Sequence, residues 1–481
     1  MGLQLALARG ISALSTWGLK NVFRRPAANF PGKIALYVDP HLIADLSRKL
    51  DRGSVVVCGT NGKTTVTNLL ADALEVAGMR VICNRTGANL DSGVATALLH
   101  GKQADWGVFE SDELWLAKVL PQLKSDYLIL LNLFRDQLDR VGEIDRIQES
   151  IAGSLAASPE TVLLYNADDP LCEAIAQRSN NKKIAFGVAE DMGLPQNTVA
   201  DAQMCQMCSG MLEYEYRQYG QLGAYRCPQC GFTRPELDYV ARNVRFGQDG
   251  IAFAAGTDEK TSVDVRSSAT GAYMVYNLLA TFAGASLLGC PPEALQRAID
   301  AFDPQNGRLE NLVASKRPIL LNLAKNPTGF NQNLKIITQD SGPRAVAFFV
   351  NDKEGDGRDV SWLWDVDFEE LADAHNLAVY VGGIRKNDLQ VRLKYAGVSA
   401  ELIDGPADML KKTAGLSSDY RFYMIANYTA LPVVRGELVK LIEQEASDGG
   451  STAGAASEPL GDQSAGSSAS QPASGEEGGR R

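Results

Sequence analysis

Residues 54–65 read Ser-Val-Val-Val-Cys-Gly-Thr-Asn-Gly-Lys-Thr-Thr. Val55, Val56, Val57 and Cys58 make a β-branched apolar run of the kind that forms a buried strand. From Thr64 onward, Val66, Leu69, Leu70, Ala73 and Leu74 recur at helical spacing. Gly62-Lys63-Thr64 therefore stands at a strand–helix junction, and glycines there let the backbone wrap an anion and turn its N–H groups inward. Lys63 would lie beside the β- and γ-phosphates of a nucleotide, and the Thr64 hydroxyl would reach Mg²⁺. Val57 occupies the place of the first glycine in the longer Walker A spacing, so this loop is a shortened form. Gly59, Thr60, Asn61, Gly62, Lys63, Thr64 and Thr65 thus read as an ATP-binding loop, a combination that an ordinary strand–helix turn does not require.

Outward from the loop, strands are predicted over 80–83, 106–110, 127–133 and 161–166, with helical stretches between them. Strands alternating with helices imply a parallel sheet covered on both faces. The rhythm breaks over about 200–265, which reads as an insertion, and a helix is predicted over 273–288. A second α/β stretch follows Arg308, with strands over 319–323, 345–350, 378–381 and 422–425. From about residue 446 the chain is mostly Ser, Gly, Ala and Glu, a composition that cannot bury a core. The expected plan is α/β: an N-terminal helical segment (1–48), a central P-loop domain (49–310), a C-terminal Rossmann-like domain (311–445) and a disordered tail (446–481). A chain of 481 residues suits about three domains.

The net charge of -11 argues against a broad nucleic-acid surface. No apolar run reaches the length of a membrane span. Residues 1–25 read as a short amphipathic helix with Lys20, Arg24 and Arg25 late in it. Cations that follow the apolar part do not make a signal peptide. The segment either packs on the first domain or touches a membrane surface. Of the eight cysteines, Cys58, Cys83, Cys172 and Cys290 are scattered in apolar surroundings. Cys205 and Cys208 form one CxxC pair and Cys227 and Cys230 another, eighteen residues apart. That spacing suits a four-thiolate Zn²⁺ site, and a filled coordination sphere makes such a zinc structural. Lacking a disulfide framework, the chain fits a reducing cytosol.

Residues 351–368 carry Asp352, Asp356, Asp359, Asp365 and Asp367 with Trp362 and Trp364. They follow a predicted strand, where α/β sheets place their ligands. Two tryptophans and two glycines make this a costly sequence for a linker, since loops of this kind carry function; a solvated acidic turn is the alternative.

The loop 59–65 resembles that of the Mur ligase and folylpolyglutamate synthetase family, and further matches follow in family order. Trp106–Glu113 ends a strand with carboxylates, and the resemblance makes Glu110 a Mg²⁺ ligand with Thr64. Asn132-Leu133-Phe134-Arg135-Asp136-Gln137-Leu138-Asp139 resembles a stretch whose metal-binding His is here Gln137, which puts a second metal site in question. Asn277 matches the central-domain Asn helix. Gly307-Arg308-Leu309-Glu310 matches the link into the last domain, where Arg308 would contact ATP. Asn322 and Lys325 stand where many members carry Asp and His. With the four cysteines and Gly357-Arg358-Asp359, the pattern narrows to the amidating branch, the synthetase subunits of lipid II isoglutaminyl synthases.

That resemblance implies a Mur-ligase-like fold and an activity: ATP-dependent amidation of the D-glutamate α-carboxylate of the lipid II stem peptide to D-isoglutamine, through an acyl phosphate. It also implies a heterodimer with a GatD-like glutaminase subunit, whose Cys–His pair Asp359 would complete. The chain has three histidines and no Cys–His glutaminase signature of its own. The implied location is cytoplasmic, at the inner face of the membrane. Two other readings stand beside it: an amino-acid-adding or polyglutamate-adding ligase, told apart by its nucleophile, and a zinc-ribbon nucleic-acid-binding NTPase, told apart by salt-dependent nucleic-acid binding.

Overall fold

The computed structural model describes residues 3–21, 29–85, 87–135, 144–194, 202–247, 250–258, 260–269, 271–302 and 307–450. The first sheet is built from β1 (Leu50–Cys58), β2 (Val81–Cys83), β3 (Ala104–Glu110), β4 (Tyr127–Leu130), β5 (Val162–Asn166) and β6 (Lys183–Val188). A separate ribbon, β7 (Glu213–Tyr219) with β8 (Leu222–Arg226), precedes β9 (Tyr239–Gly247), β10 (Gly250–Gly256) and β11 (Val263–Ser267). The nine-stranded order is β11-β10-β9-β6-β5-β4-β1-β3-β2, with β1 at the interior between β4 and β3. Pairing is parallel from β2 through β9 and antiparallel from β9 to β11.

Alternation along β1 explains both layers. Val55 and Val57 face a core shared with helices Lys63–Val76 and Ala272–Leu287. Val56 and Cys58 face the opposite core, with helices Asp91–His100, Leu116–Leu123 and Ile144–Ala156. A strand buried on both faces needs an unbroken apolar run, which is what residues 55–58 supply. Each fully buried Leu or Val there contributes about 1.5–3 kcal/mol.

A second, six-stranded sheet follows the order β12-β13-β17-β14-β15-β16. Its strands are β12 (Glu310–Ala314), β13 (Arg317–Leu323), β14 (Arg344–Phe349), β15 (Leu377–Gly382), β16 (Ala400–Leu402) and β17 (Arg421–Ala426). Apart from the β12/β13 hairpin, its pairs are parallel. Helices Leu3–Asn21, Phe30–Val38 and Leu42–Ser47 lie ahead of β1.

Three sequence boundaries are revised. Residues 239–267 are not insertion: β9 pairs with β6 through Phe186↔Tyr239 and carries the first sheet onward. The part outside that sheet is the Cys-bearing ribbon, ending before β9. The strand expected over 127–133 stops at Leu130, because Asn132 is drawn into the turn beside the glycine loop, where its carbonyl accepts from the Thr60 N–H at 2.8 Å. Helix Leu431–Gly450 continues past the expected domain end at 445. Gln137, Arg24, Arg25 and the tail beyond 450 lie outside the described residues.

The ribbon is fastened to the C-terminal end of β5. Asp168 is fully buried, and its carboxylate accepts from Arg234 Nη1 at 2.9 Å, Tyr276 Oη at 2.7 Å and the Val188 N–H at 2.9 Å. Burial raises the Asp168 pKa despite Arg234, so this carboxylate depends on its cation. Arg234→Ala should cost about 3–5 kcal/mol in urea unfolding near neutral pH. Because a raised carboxyl pKa gives stability at low pH that is lost as pH rises, the penalty should shrink in acid. A penalty that did not vary with pH would refute this account.

Candidate functional site

The glycine loop is shaped by contacts that leave no room for side chains. Gly59 and Gly62 have φ of +131° and +90°. A Cβ on Gly59 would meet the Asn132 carbonyl at 2.8 Å, and one on Gly62 would meet Asn277 Oδ1 at 2.2 Å. Asn132 holds the loop from below: its Oδ1 accepts from the Asn61 N–H at 2.9 Å and its Nδ2 donates to the Asn61 carbonyl at 3.1 Å. The Phe134 N–H donates to Thr60 Oγ1 at 2.9 Å.

Lys63 opens the helix and is buried. Its ammonium donates to Glu113 Oε1 at 3.0 Å, to the Thr60 carbonyl at 3.3 Å and to the Gly59 carbonyl. Burial alone would discharge Lys63, but Glu113, Glu110 and Asp112 outweigh it and hold the ammonium above its ordinary range. Glu113 is likewise penalised by burial, yet Lys63 and Lys325 hold its carboxyl below the usual range. Glu110 sits one step away. Its Oε2 accepts from Thr64 Oγ1 at 2.6 Å and its Oε1 from Asn89 Nδ2 at 3.2 Å. Thr64 and Glu110 thus converge as a hydroxyl–carboxylate pair, a donor set that suits a hard cation such as Mg²⁺.

The facing wall comes from the second domain. One cavity is lined by Thr60 to Thr65, Glu110, Glu113, Asn277, Arg308, Asn322 and Lys325. Arg308 is carried on a braced link. The Gly307 N–H donates to Glu310 Oε2 at 2.7 Å, Glu310 is gripped by Arg435 at 2.8 Å, and the Leu309 N–H donates to Asn322 Oδ1 at 3.0 Å. Asn322 therefore serves as a backbone clamp. Asn326 caps helix Pro327–Gln339 through the Gly329 N–H, and its Nδ2 lies 3.5 Å from Asn61 Oδ1 across the cleft. Arg135 and Asp365 bridge the domains at 3.0 Å.

Asp359 is placed elsewhere, on the surface, outside this lining. Its neighbours in the acidic loop are held inward: Asp352 by Arg385, Asp356 by Thr429, Asp365 by Arg135 and Asp367 by Asn331. Asp359 accepts from the Ser361 N–H and Oγ–H, both at 2.8 Å, and the backbone bond, then the hydroxyl, hold it ionised below the usual carboxyl range.

The four cysteine sulfurs lie within 4.8 Å of one another. Cys205 and Cys230, and Cys208 and Cys227, are 3.5 Å apart, near the roughly 3.8 Å edge of a tetrahedron with 2.3 Å zinc–sulfur bonds. The backbone turns left-handed just after each pair, at Ser209 and Gly231. The four residues fit a metal ion.

Sequence reasoning singled out neither Glu113 nor Tyr219. Glu113 lay within the quoted acidic stretch, with nothing to show which carboxylate would face Lys63. Tyr219, at the tip of the ribbon, lines the cavity, and next to it Gln221 Nε2 donates to the Leu133 carbonyl at 2.6 Å. Only the three-dimensional return of the ribbon reveals that contact.

Comparison with known proteins agrees with this geometry. Residues 57–225 match the family described as Mur ligase middle domain, and residues 323–431 that described as MurT ligase C-terminal. A Staphylococcus aureus (strain COL) protein named lipid II isoglutaminyl synthase (glutamine-hydrolyzing) subunit MurT is 32% identical over 86% of this chain and 93% of its own length. A Streptococcus pneumoniae protein of the same name is 31% identical over 84% and 90%. A pseudomurein peptide ligase type C from Methanothermus fervidus shares the fold, with a TM-score of 0.62 at 20% identity over 83% of this chain and 80% of that one.

Glu113→Gln should leave a buried ammonium short of its nearest counter-charge, at a cost of about 3–5 kcal/mol near neutral pH. The depressed Glu113 carboxyl contributes stability above its normal pKa that is lost as pH falls through the lowered value. The variant should therefore lack part of the acid destabilisation seen in the parent. Equal urea midpoints for the two proteins at pH 7 would show that the pair adds nothing.

Proposed function

Because the chain belongs to the Mur ligase family, in its MurT branch, we propose that it is the ATP-dependent synthetase half of an amidating enzyme acting on the lipid II stem peptide. The carrying observation is the convergence of Lys63, Thr64 and Glu110 with Arg308 and Lys325, from facing domains, on one cavity. Its substrate is the D-glutamate α-carboxylate and its product D-isoglutamine, in keeping with the activity for which the curated relatives are named.

In this reading ATP is consumed as a substrate in the glycine loop. The backbone of residues 59–65 cradles its phosphates, and Lys63 turns from Glu113 to the β/γ oxygens. Asn277, packed on Gly62, borders the same site. Thr64 and Glu110 would hold Mg²⁺, which screens the charge of the phosphates. Arg308, steadied through Glu310 and Arg435, faces the transferred phosphoryl group. The substrate carboxylate attacks the γ-phosphorus, the bond to the bridging oxygen breaks, and an acyl phosphate and ADP result. Ammonia then attacks the acyl carbon and phosphate leaves, giving the amide. Such catalysis is mostly positioning and charge stabilisation. Lys325, whose charge already reaches Glu113, is suited to gathering the carboxylate opposite the loop.

The ammonia is assigned to a GatD-like glutaminase in a heterodimer. Asp359, ionised and on the surface away from the cavity, is suited to complete a Cys–His pair on that partner. Among the described residues, the cavity lining holds no histidine or cysteine. The four-cysteine site is assigned to structural Zn²⁺. No helix among the described residues is long and apolar enough to cross a membrane, and the chain is placed at the cytoplasmic face, where a lipid-linked substrate is presented.

Two experiments test this reading. Lipid II with ATP and Mg²⁺ should be amidated by the purified chain with ammonium but not with glutamine alone, giving a product about one dalton lighter as OH is replaced by NH₂. Adding the glutaminase should restore use of glutamine, and Asp359→Asn should abolish that use while sparing ammonium. ATP hydrolysis that required an added amino acid, with no amide formed, would instead indicate an amino-acid-adding ligase. For the ribbon, the parent should carry one zinc per chain by elemental analysis and Cys208→Ser should carry none. Because Tyr219 lines the cavity, the zinc-free protein should also show a raised KM for ATP. A metal-free parent would end the zinc assignment.

A further inference from the structure

Residues 1–38 contain five basic residues, Arg9, Lys20, Arg24, Arg25 and Lys33, and no aspartate or glutamate, within a chain of net charge -11. Their two helices also expose large apolar side chains. On helix Leu3–Asn21, Leu5 and Ala8 are buried, while Leu7 and Ile11, one turn apart, are 51% and 38% exposed and Trp17 is 59% exposed. On helix Phe30–Val38, Pro31, Gly32 and Ala35 are buried, whereas Phe30 and Tyr37 are 51% and 92% exposed and flank the exposed Lys33. Residues 30, 33 and 37 fall on one face by the helical period.

This outward display is rigidly held. A Cβ on Gly32 would meet the Ser92 carbonyl at 1.9 Å, and the Gly32 N–H donates to Thr96 Oγ1 at 2.9 Å. Thr16 Oγ1 lies 3.1 Å from His100 Nε2. Both helices are thereby fixed to the first domain through helix Asp91–His100, and their exposed faces cannot simply roll inward.

We infer that the Leu7, Ile11, Trp17, Phe30, Lys33 and Tyr37 surface, within a segment whose composition is basic and acid-free, seats this protein on an anionic phospholipid bilayer. Charge decides between occupants. A second copy would bring one acid-free basic segment against another, and an overall acidic protein is otherwise repelled by an anionic surface. An acid-free basic segment with exposed Trp, Tyr, Phe and Leu is suited to the interface of such a bilayer, apolar groups entering the headgroup boundary and cations pairing with lipid phosphates. The inference gives the lipid-linked substrate of the proposed function a docking surface and rests on that reading for its purpose. Its test reads binding alone.

The full chain would be sedimented with vesicles of pure phosphatidylcholine and with vesicles containing about one-third phosphatidylglycerol, the anionic component that basic segments recognise. It should bind the anionic vesicles, weakly or not at all the neutral ones, and less as salt rises. Lys33→Glu should weaken binding at least about fivefold, the effect of one basic residue near the surface. Trp17→Ser with Tyr37→Ser, both exposed and so tolerable to the fold, should weaken it further. Amidation of a water-soluble short-prenyl analogue should be unchanged by these variants. Absence of binding, equal binding to both vesicle types, or indifference to all three substitutions would overturn the inference. Concentration-dependent dimerisation abolished by the same substitutions, without vesicle binding, would overturn it in favour of self-association. Vesicle binding without amidation would sink the proposed function and leave the surface standing.

Discussion

No side chain fits at Gly59 or Gly62, and much of the structure is arranged around that restriction. The loop runs so close to the Asn132 carbonyl and to Asn277 that a single methyl group would collide. Closeness of this kind lets backbone N–H groups, rather than side chains, form the lining, and it ties the loop to β4 on one side and to helix Ala272–Leu287 on the other. β4 ends early to supply Asn132 as a brace. Lys63, with its charge deep in the junction, is tolerable there because Glu113 is within 3.0 Å.

The cavity belongs to neither domain alone. Arg308, Asn322 and Lys325 are delivered by the link and first strands of the second domain, and their placement relies on a short chain of contacts through Glu310, Arg435 and Asn322. Asn326 near Asn61, and Arg135 with Asp365, add contacts across the gap. These contacts are polar, the type of interface that permits relative domain movement. Asp359 lies on the same acidic loop as Asp365, so one loop contacts the first domain and presents a carboxylate outward.

The sequence was most legible where a residue type has few alternatives. The apolar run 55–58 is a doubly buried strand as its pattern requires, and Gly62-Lys63-Thr64 stands at the strand–helix junction that its glycines announced. Two CxxC pairs at ribbon spacing brought four sulfurs together as their arithmetic required. Legibility failed where pairing partners are remote. β9 to β11 were hidden within a Tyr- and Gly-rich stretch because their membership of the first sheet depends on β6, some fifty residues upstream by the register of Phe186 with Tyr239. Glu113 was indistinguishable from Asp112 by spacing alone, since which carboxylate turns toward Lys63 is fixed by the path taken after β3. In the sequence Asn322 is notable only for standing where many family members carry Asp. In the fold its amide is spent on the Leu309 and Leu323 N–H groups, a role that no local pattern announces.

The Lys63–Glu113 pair gives the cleft an intrinsic counter-anion, and with it a threshold. A ligand that enters the loop must exchange with a carboxylate already held at contact distance in a nearly dry setting. A singly charged anion offers the ammonium little that Glu113 does not offer already, and it leaves Glu113 to be re-paired at a cost. A polyphosphate brings several charges and the backbone contacts of a whole loop, while the charge of Lys325 continues to act on the released carboxylate. In the proposed reading the pocket therefore discriminates by total charge before shape, with simple phosphate or a lone carboxylate a poor competitor.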